Sequence, residues 1–242
     1  MAKKKTSMGW TILLIVVAVG VKFFQERDGA TPETREEKAA AEIVLGPENP
    51  EGNSAPAALT GRFSEPGALE SGWEELTNCR LITGRNSDGD SFHVRHAGGE
   101  AEFRLYYVDT PESAYKTYRG GENNGERLAE QGAYFGGLDR DDTTTVGKAA
   151  KSFVLDLLAE RPFTVRTKWE NVYGPERKYA LVVVQWEGRE VYLHELLVAK
   201  GLGRIHTRGA DLPSGRGWRA QKDYLKDWEA EARSAGLGAW GL

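Results

Sequence analysis

Short apolar runs at turn-sized spacing begin at Trp73 and continue toward the end of the chain. Five of these runs are enriched in β-branched, aromatic and other apolar residues, which is typical of β-strands. The predicted strands are Thr77–Thr83, Ser91–Arg95, Glu102–Val108, Phe163–Trp169 and Tyr179–Trp186. Five short strands favour a small barrel.

Three other segments have apolar residues at the three- and four-residue spacing of an amphipathic helix. Thr145–Glu160 lies between the third and fourth strands, Leu193–Lys200 stops at Gly201, and Trp218–Ala235 stops at Gly236. Three strands, a helix, two strands and two helices form an order compatible with an OB-type barrel. We therefore predict an α+β, mainly β domain, a five-stranded OB-fold barrel with about three packed helices.

The first 24 residues have the pattern of an export signal or a membrane anchor. Lys3–Lys5 precede an apolar run, Met8–Val21, that reaches the roughly 17 to 25 residues of a membrane span only if Lys22 snorkels and the next two phenylalanines are included. A small-x-small site at Ala18–Gly20 falls inside the apolar run, so a retained anchor is favoured over a cleaved signal peptide. A buried core helix is the third alternative. In both exported cases the lysine-rich end stays cytoplasmic and the remainder crosses the membrane.

Residues 25–72 are rich in Ala, Glu, Pro and Gly and nearly lack aromatic residues. They contain 4 Lys and Arg against 10 Asp and Glu, a net charge of −6. Such a composition cannot bury enough surface to order itself, which indicates a disordered linker. The folded domain is therefore expected over residues 73–242.

Composition limits what that domain can do. Residues 73–242 contain 24 Lys and Arg against 26 Asp and Glu, so a nucleic-acid partner would have to be bound by a local cleft with particular arginines. Cys79 is the only cysteine, which excludes an internal disulfide, a Cys-rich zinc site and a Cys-x-x-Cys redox pair. Stability must therefore come from packing.

Carboxylates lie at both ends of the hairpin that the second and third strands would form. Asp90 follows Asp88-Gly89 before the second strand, and Asp109 follows the third, with Glu112 three residues later. Either group taken alone could be an ordinary turn. Taken together, the hairpin would bring Asp90 and Asp109 face to face, where they would repel unless a cation or a proton lay between them. Oxygen ligands without His or Cys favour calcium or magnesium, and an exported domain favours calcium.

Two arginines are candidates for anion binding, although each taken alone fits a solvated surface residue better, or for Arg104 a paired one. Arg104 lies in the third strand, and Arg177 lies in a loop that leads into the fifth. In a regular strand Arg104 and Asp109 have opposite parity and point to different faces. Only an irregular strand end would bring them together.

These blocks resemble the staphylococcal nuclease, or thermonuclease, family. Asp88–Glu112 (DGDSFHVRHAGGEAEFRLYYVDTPE) is similar to the family's DGDT turn, hairpin and RLxxVDTPE block. Tyr173-Gly174 with Arg177 and Ala180 resembles its YGR-x-x-A block, Leu197–Leu202 resembles its LVxxGLA helix, and Trp240 its closing Trp. The resemblance covers about residues 77 to 242 and implies an OB-fold barrel that cleaves DNA and RNA.

The resemblance also implies roles for individual residues. Asp90, Asp109 and the main-chain carbonyl of Thr110 would be calcium ligands, with magnesium or another divalent ion as an alternative. Glu112 would orient or deprotonate the attacking water. Arg104 and Arg177 would hold the phosphate and stabilise the five-coordinate transition state, a task that suits a planar and always-charged group. Tyr173 would contact the nucleotide.

The chain departs from the family pattern in four places. Ser91 replaces the usual Thr and keeps the hydroxyl, while Pro175-Glu176 are inserted before Arg177. Residues 205–209 lack the tyrosines that the family often has there, which puts the mode of base contact in question. A Gly-rich segment at about 114–142 is longer than the family pattern and begins beside Glu112. It could cover the cleft and restrict substrates, or be a surface insertion without a role.

We therefore expect an exported, calcium-dependent nuclease of DNA, RNA or both, either membrane-anchored or secreted, with no protein partner. The rival hypothesis is a non-catalytic OB-fold module that binds nucleic acid or protein at the cell envelope. A degenerate module would be expected to lose part of the site, whereas Asp90, Arg104, Asp109, Glu112 and Arg177 are all present.

Overall fold

The computed structural model describes Ala40, Ile43, residues 63–69 and residues 72–242. The predicted anchor at 1–24 and most of the predicted linker lie outside the described residues. In the part that is described, no helix has the length and apolar character to cross a membrane.

Five strands close into a mixed β-barrel, as predicted. The strands β1 to β3 form an antiparallel meander, β1 also pairs with β5, and β5 pairs with β6. A parallel pairing of β3 with β6 closes the barrel, and β7 extends β6 as a hairpin. The short strands β4 and β8 pair outside the main sheet. The strand bounds are β1 Glu74–Leu81, β2 Ser91–His96, β3 Gly99–Leu105, β4 Val108–Asp109, β5 Phe163–Asn171, β6 Arg177–Trp186, β7 Arg189–Tyr192 and β8 Arg204–Ile205.

Four α-helices accompany the barrel among the described residues, one more than the sequence predicts. They are α1 Gly125–Tyr134, α2 Arg140–Glu160, α3 Leu193–Ala199 and α4 Trp218–Ser234, and a 3-10 turn at Gly238–Gly241 follows. The last three correspond to the predicted helices, and α2 begins five residues earlier because Asp139 caps it by accepting hydrogen bonds from the Asp141 and Asp142 amides. The additional helix, α1, lies within the Gly-rich segment. The architecture is consistent with an OB-fold-like α+β domain.

The barrel interior and parts of the inner helix faces form the main apolar core, beside a small second cluster of Phe135, Val146 and Ala239. Its fully buried members come from every strand of the barrel and from α2 to α4, and they include Phe92, Phe103, Leu105, Val165, Leu181, Val154, Leu196 and Trp228. At roughly 1.5–3 kcal/mol for each large apolar side chain that is buried, this core is the main source of stability. The single thiol, Cys79, is also buried, and burial raises its pKa to about 11.

Part of the predicted linker contacts this core. Phe63 stacks on Trp228 with ring centroids 4.6 Å apart. The amide of Ser64 donates to Glu195 Oε2 at 2.8 Å, and Arg166 donates to the carbonyl of Gly67 at 3.1 Å. Residues 63–67 therefore lie against α3, α4 and β5.

The third strand begins and ends three residues earlier than predicted. We expected it to run over Glu102–Val108, but β3 ends at Leu105 and β4 is a separate strand that pairs with β8. The break lies at Tyr107, whose φ of 72° is a left-handed conformation that bulky residues rarely adopt. The Tyr107 amide donates to the Arg208 carbonyl at 2.8 Å, and its phenol donates to the carbonyl of Ala210. These contacts hold Tyr107 in the conformation that ends the regular pairing of β3.

The ring of Tyr107 also stacks on His194, with centroids 5.0 Å apart. Burial, followed by the nearby charge of Arg216, lowers the pKa of His194 to about 3. His194 therefore stays neutral in the fold while the unfolded chain takes up its proton near pH 6.5. Its neighbour Glu195 has a pKa raised by burial, which acts in the opposite direction as the pH falls.

We predict that His194→Gln makes the fold less sensitive to acid. Above pH 6.5 His194 is neutral in both states and contributes no pH dependence. Below that value the folded state binds fewer protons, so His194 reduces the free energy of unfolding by about 1.4 kcal/mol per pH unit over the range from about 6 to 4. Denaturant unfolding of both proteins between pH 7 and 4 measures the difference, in which the Glu195 contribution cancels. Parallel pH curves would contradict the prediction.

Candidate functional site

The turn before β2 and the end of β4 pack directly against each other. The carbonyl of Asp90 accepts a hydrogen bond from the Leu105 amide at 2.8 Å, and Asp90 Oδ2 accepts one from the Thr110 amide at 3.1 Å. A Cβ atom at Gly89 would lie 2.9 Å from the Thr110 side chain, so only glycine permits this approach. The hairpin brings the two ends together, as the sequence indicated.

The irregular strand end places Arg104 and Asp109 on the same side. Because the chain turns at Tyr107, the parity of the strand changes between β3 and β4, and Arg104 Nη2 lies 2.6 Å from Asp109 Oδ1. The same nitrogen lies 3.1 Å from Asp90 Oδ2. Both carboxylates therefore converge on one guanidinium nitrogen.

The hydroxyl of Ser91 links the two predicted arginines. Ser91 Oγ accepts from Arg104 Nη1 at 3.3 Å and from Arg177 Nη1 at 3.2 Å, and it donates to Asp90 Oδ1 at 2.9 Å. Arg177 is the first residue of β6, not part of the preceding loop, and its register partner in the parallel pair is Glu102. That pairing brings Arg177 to the site even though Pro175-Glu176 are inserted before it.

Three site residues were not predicted from the sequence. Arg127 and Gln131 lie on α1, and Arg204 lies on β8 beside Asp109. No motif marked them, because Arg204 belongs to a two-residue strand and α1 has a weakly apolar sequence whose buried face includes the polar Gln131. The position of the Gly-rich segment directly after Glu112 was the one available signal.

Asp109 is fully buried, and four donors surround its carboxylate. Oδ1 accepts from Arg104 Nη2 and Arg127 Nη2, each at 2.6 Å. Oδ2 accepts from Arg204 Nε at 2.7 Å and Gln131 Nε2 at 3.0 Å. A carboxylate has about four acceptor positions, and here all four are used.

The two aspartates differ in the direction of their pKa shifts. Burial acts to raise the pKa of Asp109, but Arg127, the Gln131 hydrogen bond, Arg204 and Arg104 together lower it. Burial and the charge of Asp88 raise the pKa of Asp90 well above its usual value, against the influence of Arg104. Asp109 is therefore held as an anion. Asp90 is the carboxylate whose ionised form an additional cation would stabilise most.

Glu112 lies on the rim of this cluster, with its side chain 20% exposed. Its backbone is held closely, since its amide donates to Gln131 Oε1 at 3.0 Å. A Cβ atom at Gly147 of α2 would lie only 2.4 Å from the Glu112 carbonyl oxygen, so α2 also packs on this turn. The carboxylate accepts from Arg127 Nε at 2.8 Å through Oε1.

Tyr173 does not join the cluster. It lies in the loop before β6 with a φ of 41° and is 99% exposed. The structure places the predicted residues Asp90, Arg104, Asp109, Thr110, Glu112 and Arg177 together and leaves Tyr173 in solvent.

The residues fit a hard divalent ion in their donor chemistry. Asp90, Asp109 and the Thr110 carbonyl offer only oxygen atoms, as calcium and magnesium prefer. They supply fewer ligands than the six to eight that calcium takes, and no described part of the chain gathers three or more acidic, His or Cys side chains in a metal-binding arrangement. Water or a bound anion would have to complete the shell, and an ion between the two carboxylates would replace the contact now made by Arg104.

The cluster gathers several guanidinium groups, each paired with a carboxylate, around the partly exposed carboxylate of Glu112. Arg104, Arg127 and Arg177 converge from three elements, which suits recognition of a tetrahedral oxyanion such as a phosphate. Glu112 can accept a proton or orient a water molecule at the edge of that charge. The arrangement is suited to chemistry on an anionic ester.

Comparison of the chain with models of known protein families and with curated proteins found no match.

We predict that Asp109→Asn destabilises the fold strongly. The substitution leaves the buried guanidinium group of Arg204 without its anion and removes one of the two carboxylates that pair with Arg104, and breaking a buried ion pair typically costs about 3–5 kcal/mol. Denaturant unfolding at neutral pH measures the loss.

The matched control is Glu100→Gln. Glu100 also contacts two arginines, Arg85 and Arg95, but on the surface, where solvent screens the pairs. We expect little or no change in its unfolding midpoint. An Asp109→Asn protein as stable as this control would contradict a structural role for the Asp109 cluster.

Proposed function

We propose that this domain is a nuclease that hydrolyses phosphodiester bonds of DNA, RNA or both with the help of a divalent cation, calcium in first place. The observation that carries the proposal is that five residues from separate parts of the sequence form one connected network of contacts. They are Asp90, Arg104, Asp109, Glu112 and Arg177. The same residues carry the resemblance to the staphylococcal nuclease family. An OB-fold barrel is the fold that this family would supply.

The chain's own residues divide the work as follows. Arg104 and Arg177, linked by the Ser91 hydroxyl, would bind the phosphate oxygens. They would stabilise the charge that develops as the water oxygen attacks phosphorus and the bond from phosphorus to the leaving ester oxygen breaks. Glu112 would orient the attacking water and take its proton. Asp90, Asp109 and the Thr110 carbonyl would hold the cation, which when bound polarises the phosphate and neutralises its charge. Tyr173 would contact the nucleotide from solvent.

The place of action is proposed from the first 24 residues. Their lysines and apolar run favour export of the domain, either retained on a membrane anchor or released as a secreted or periplasmic protein. The domain would then work outside the cytoplasm, where calcium is abundant.

One observation favours a second candidate, a non-catalytic module that binds nucleic acid or protein at the cell envelope. All four acceptor positions of Asp109 are already used by protein donors, so the cluster is balanced without a cation. Such a network can serve the fold alone. The two candidates differ in whether a bound nucleic acid is cleaved.

We predict that the 242-residue chain cleaves single-stranded or double-stranded DNA or RNA in the presence of calcium and that a chelator abolishes cleavage. Glu112→Gln should lower kcat by about 10²- to 10⁴-fold, because the attacking water loses its base. Glu122→Gln, which changes an exposed glutamate of the neighbouring loop, should leave kcat unchanged. Gel assays of labelled oligonucleotides measure the rates. Cleavage that is insensitive to Glu112→Gln or to the chelator would contradict the mechanism, and binding without any cleavage would favour the second candidate.

We predict that Arg177→Met lowers kcat by about 10²- to 10³-fold, the usual loss for one transition-state donor. Arg177 suits this test better than Arg104, since its side chain is 31% exposed and its nearest carboxylate, Glu102, is 3.8 Å away. Its removal should therefore affect the unfolding midpoint little. Wild-type kcat in a folded Arg177→Met protein would remove Arg177 from the mechanism.

A further inference from the structure

The helix α1 is fastened to the site by two side chains one turn apart. Arg127 and Gln131 are four residues apart and therefore lie on the same helix face. Gln131 is fully buried, donates to the Thr110 carbonyl at 3.1 Å and accepts from the Glu112 amide at 3.0 Å. Together the two side chains hold the turn from Asp109 to Glu112.

The loop that leads into α1 is itself ordered by internal hydrogen bonds. The Asn124 side chain accepts from the Lys116 amide at 2.7 Å and donates to the Ala114 carbonyl at 2.9 Å. Thr117 and Asn123 form an isolated antiparallel bridge, and the side chain of Leu128, which belongs to α1, is buried. The position of Arg127 is therefore determined by the fold.

The guanidinium of Arg127 bridges the two carboxylates with one edge. Nε donates to Glu112 Oε1 at 2.8 Å, and Nη2 donates to Asp109 Oδ1 at 2.6 Å. These contacts use one oxygen of Glu112 and leave Oε2 outside the bridge. Asp109 is buried and held by Arg204, so Arg127 has a fixed partner on one side. Through Arg127 the partly exposed Glu112 carboxylate is therefore also held in place.

The geometry points to Arg127 as a positioning residue for Glu112, supplied by the segment that makes this chain longer than the family pattern. The inference rests on the proposed function and extends it. Arg127 fixes the rotamer of Glu112 so that Oε2 faces the position of the attacking water, and Gln131 holds the backbone of the same residue. Through Arg127 and Gln131 the segment at 114–142 then contributes to the active site, and it is neither a passive insertion nor a cover that only restricts substrates.

The contact of Arg127 with Asp109 and Glu112 is suited to holding Glu112 in place more than to stabilising the fold. The side chain of Arg127 is 40% exposed, in contrast to the nearly buried Arg104 and Arg204 on the same Asp109. Asp109 keeps those two partners and Gln131 when Arg127 is removed. Loss of Arg127 should therefore affect the orientation of Glu112 more than the stability of the cluster.

The test compares Arg127→Ala, Arg127→Lys and the control Arg119→Ala, each in the 242-residue chain. Arg119 is an exposed arginine of the same segment, outside the site. We expect Arg127→Ala to lower kcat by up to about 100-fold, the loss that follows from misplacing a reacting group by about 1 Å, with KM changed far less. Arg127→Lys should keep part of the wild-type rate. Guanidinium ion added to the Arg127→Ala protein, below denaturing concentrations, should restore part of the lost rate. Arg119→Ala should retain the wild-type rate.

A double-mutant cycle with Glu112→Gln separates positioning from other roles. If Arg127 acts through Glu112, Arg127→Ala should reduce the already low rate of the Glu112→Gln protein by less than about threefold. Fully additive losses, a loss confined to KM, or wild-type kcat in a folded Arg127→Ala protein would each overturn the inference while leaving the proposed function standing. A wild-type chain that cleaves none of the substrates would overturn both.

Discussion

The buried carboxylate of Asp109 is the constraint on which the site depends. Removing a carboxylate from water costs several kcal/mol, and only well-placed opposite charges and hydrogen bonds offset that cost. Here the offset comes from Arg104 on β3, Arg127 on α1 and Arg204 on β8. Arg204 faces Asp109 across the short β4–β8 pair, and the other two come from different elements. The barrel, the added helix and the short outer strand pair must therefore all be assembled before the charge is stable.

The strand break at Tyr107 makes this assembly possible. A left-handed conformation at a tyrosine costs about 1–3 kcal/mol, which the hydrogen bonds to Arg208 and Ala210 and the stacking on His194 can offset. The break interrupts the alternation of side-chain directions along the strand. As a result Arg104 and Asp109 point to the same side. Local strain is thus connected to the geometry of the site, and the residues that support Tyr107 lie in α3 and in the loop that follows β8.

The concentration of charge explains why composition says little about the partner. The domain as a whole is slightly acidic, yet four arginines gather around four carboxylates at one end of the barrel. Within such a cluster each charge is determined by its neighbours: burial raises the pKa of Asp90, while guanidinium groups lower that of Asp109. An anionic ligand would meet this local field and not the average charge of the surface.

Short apolar runs indicated the five strands of the barrel, and three- and four-residue apolar spacing indicated three of the four helices in the described part of the chain, because such patterns reflect local structure. The hairpin that brings Asp90 close to Asp109 followed from the order of the strands. The helix α1 escaped prediction because its buried face includes the polar Gln131, and apolar periodicity does not detect a buried amide. Whether Arg104 could reach Asp109 depended on the conformation of Tyr107, which distant residues hold in place. Only the tertiary structure could place Arg127 and Arg204 on Asp109, since the reason for their positions is a buried charge and not a local pattern.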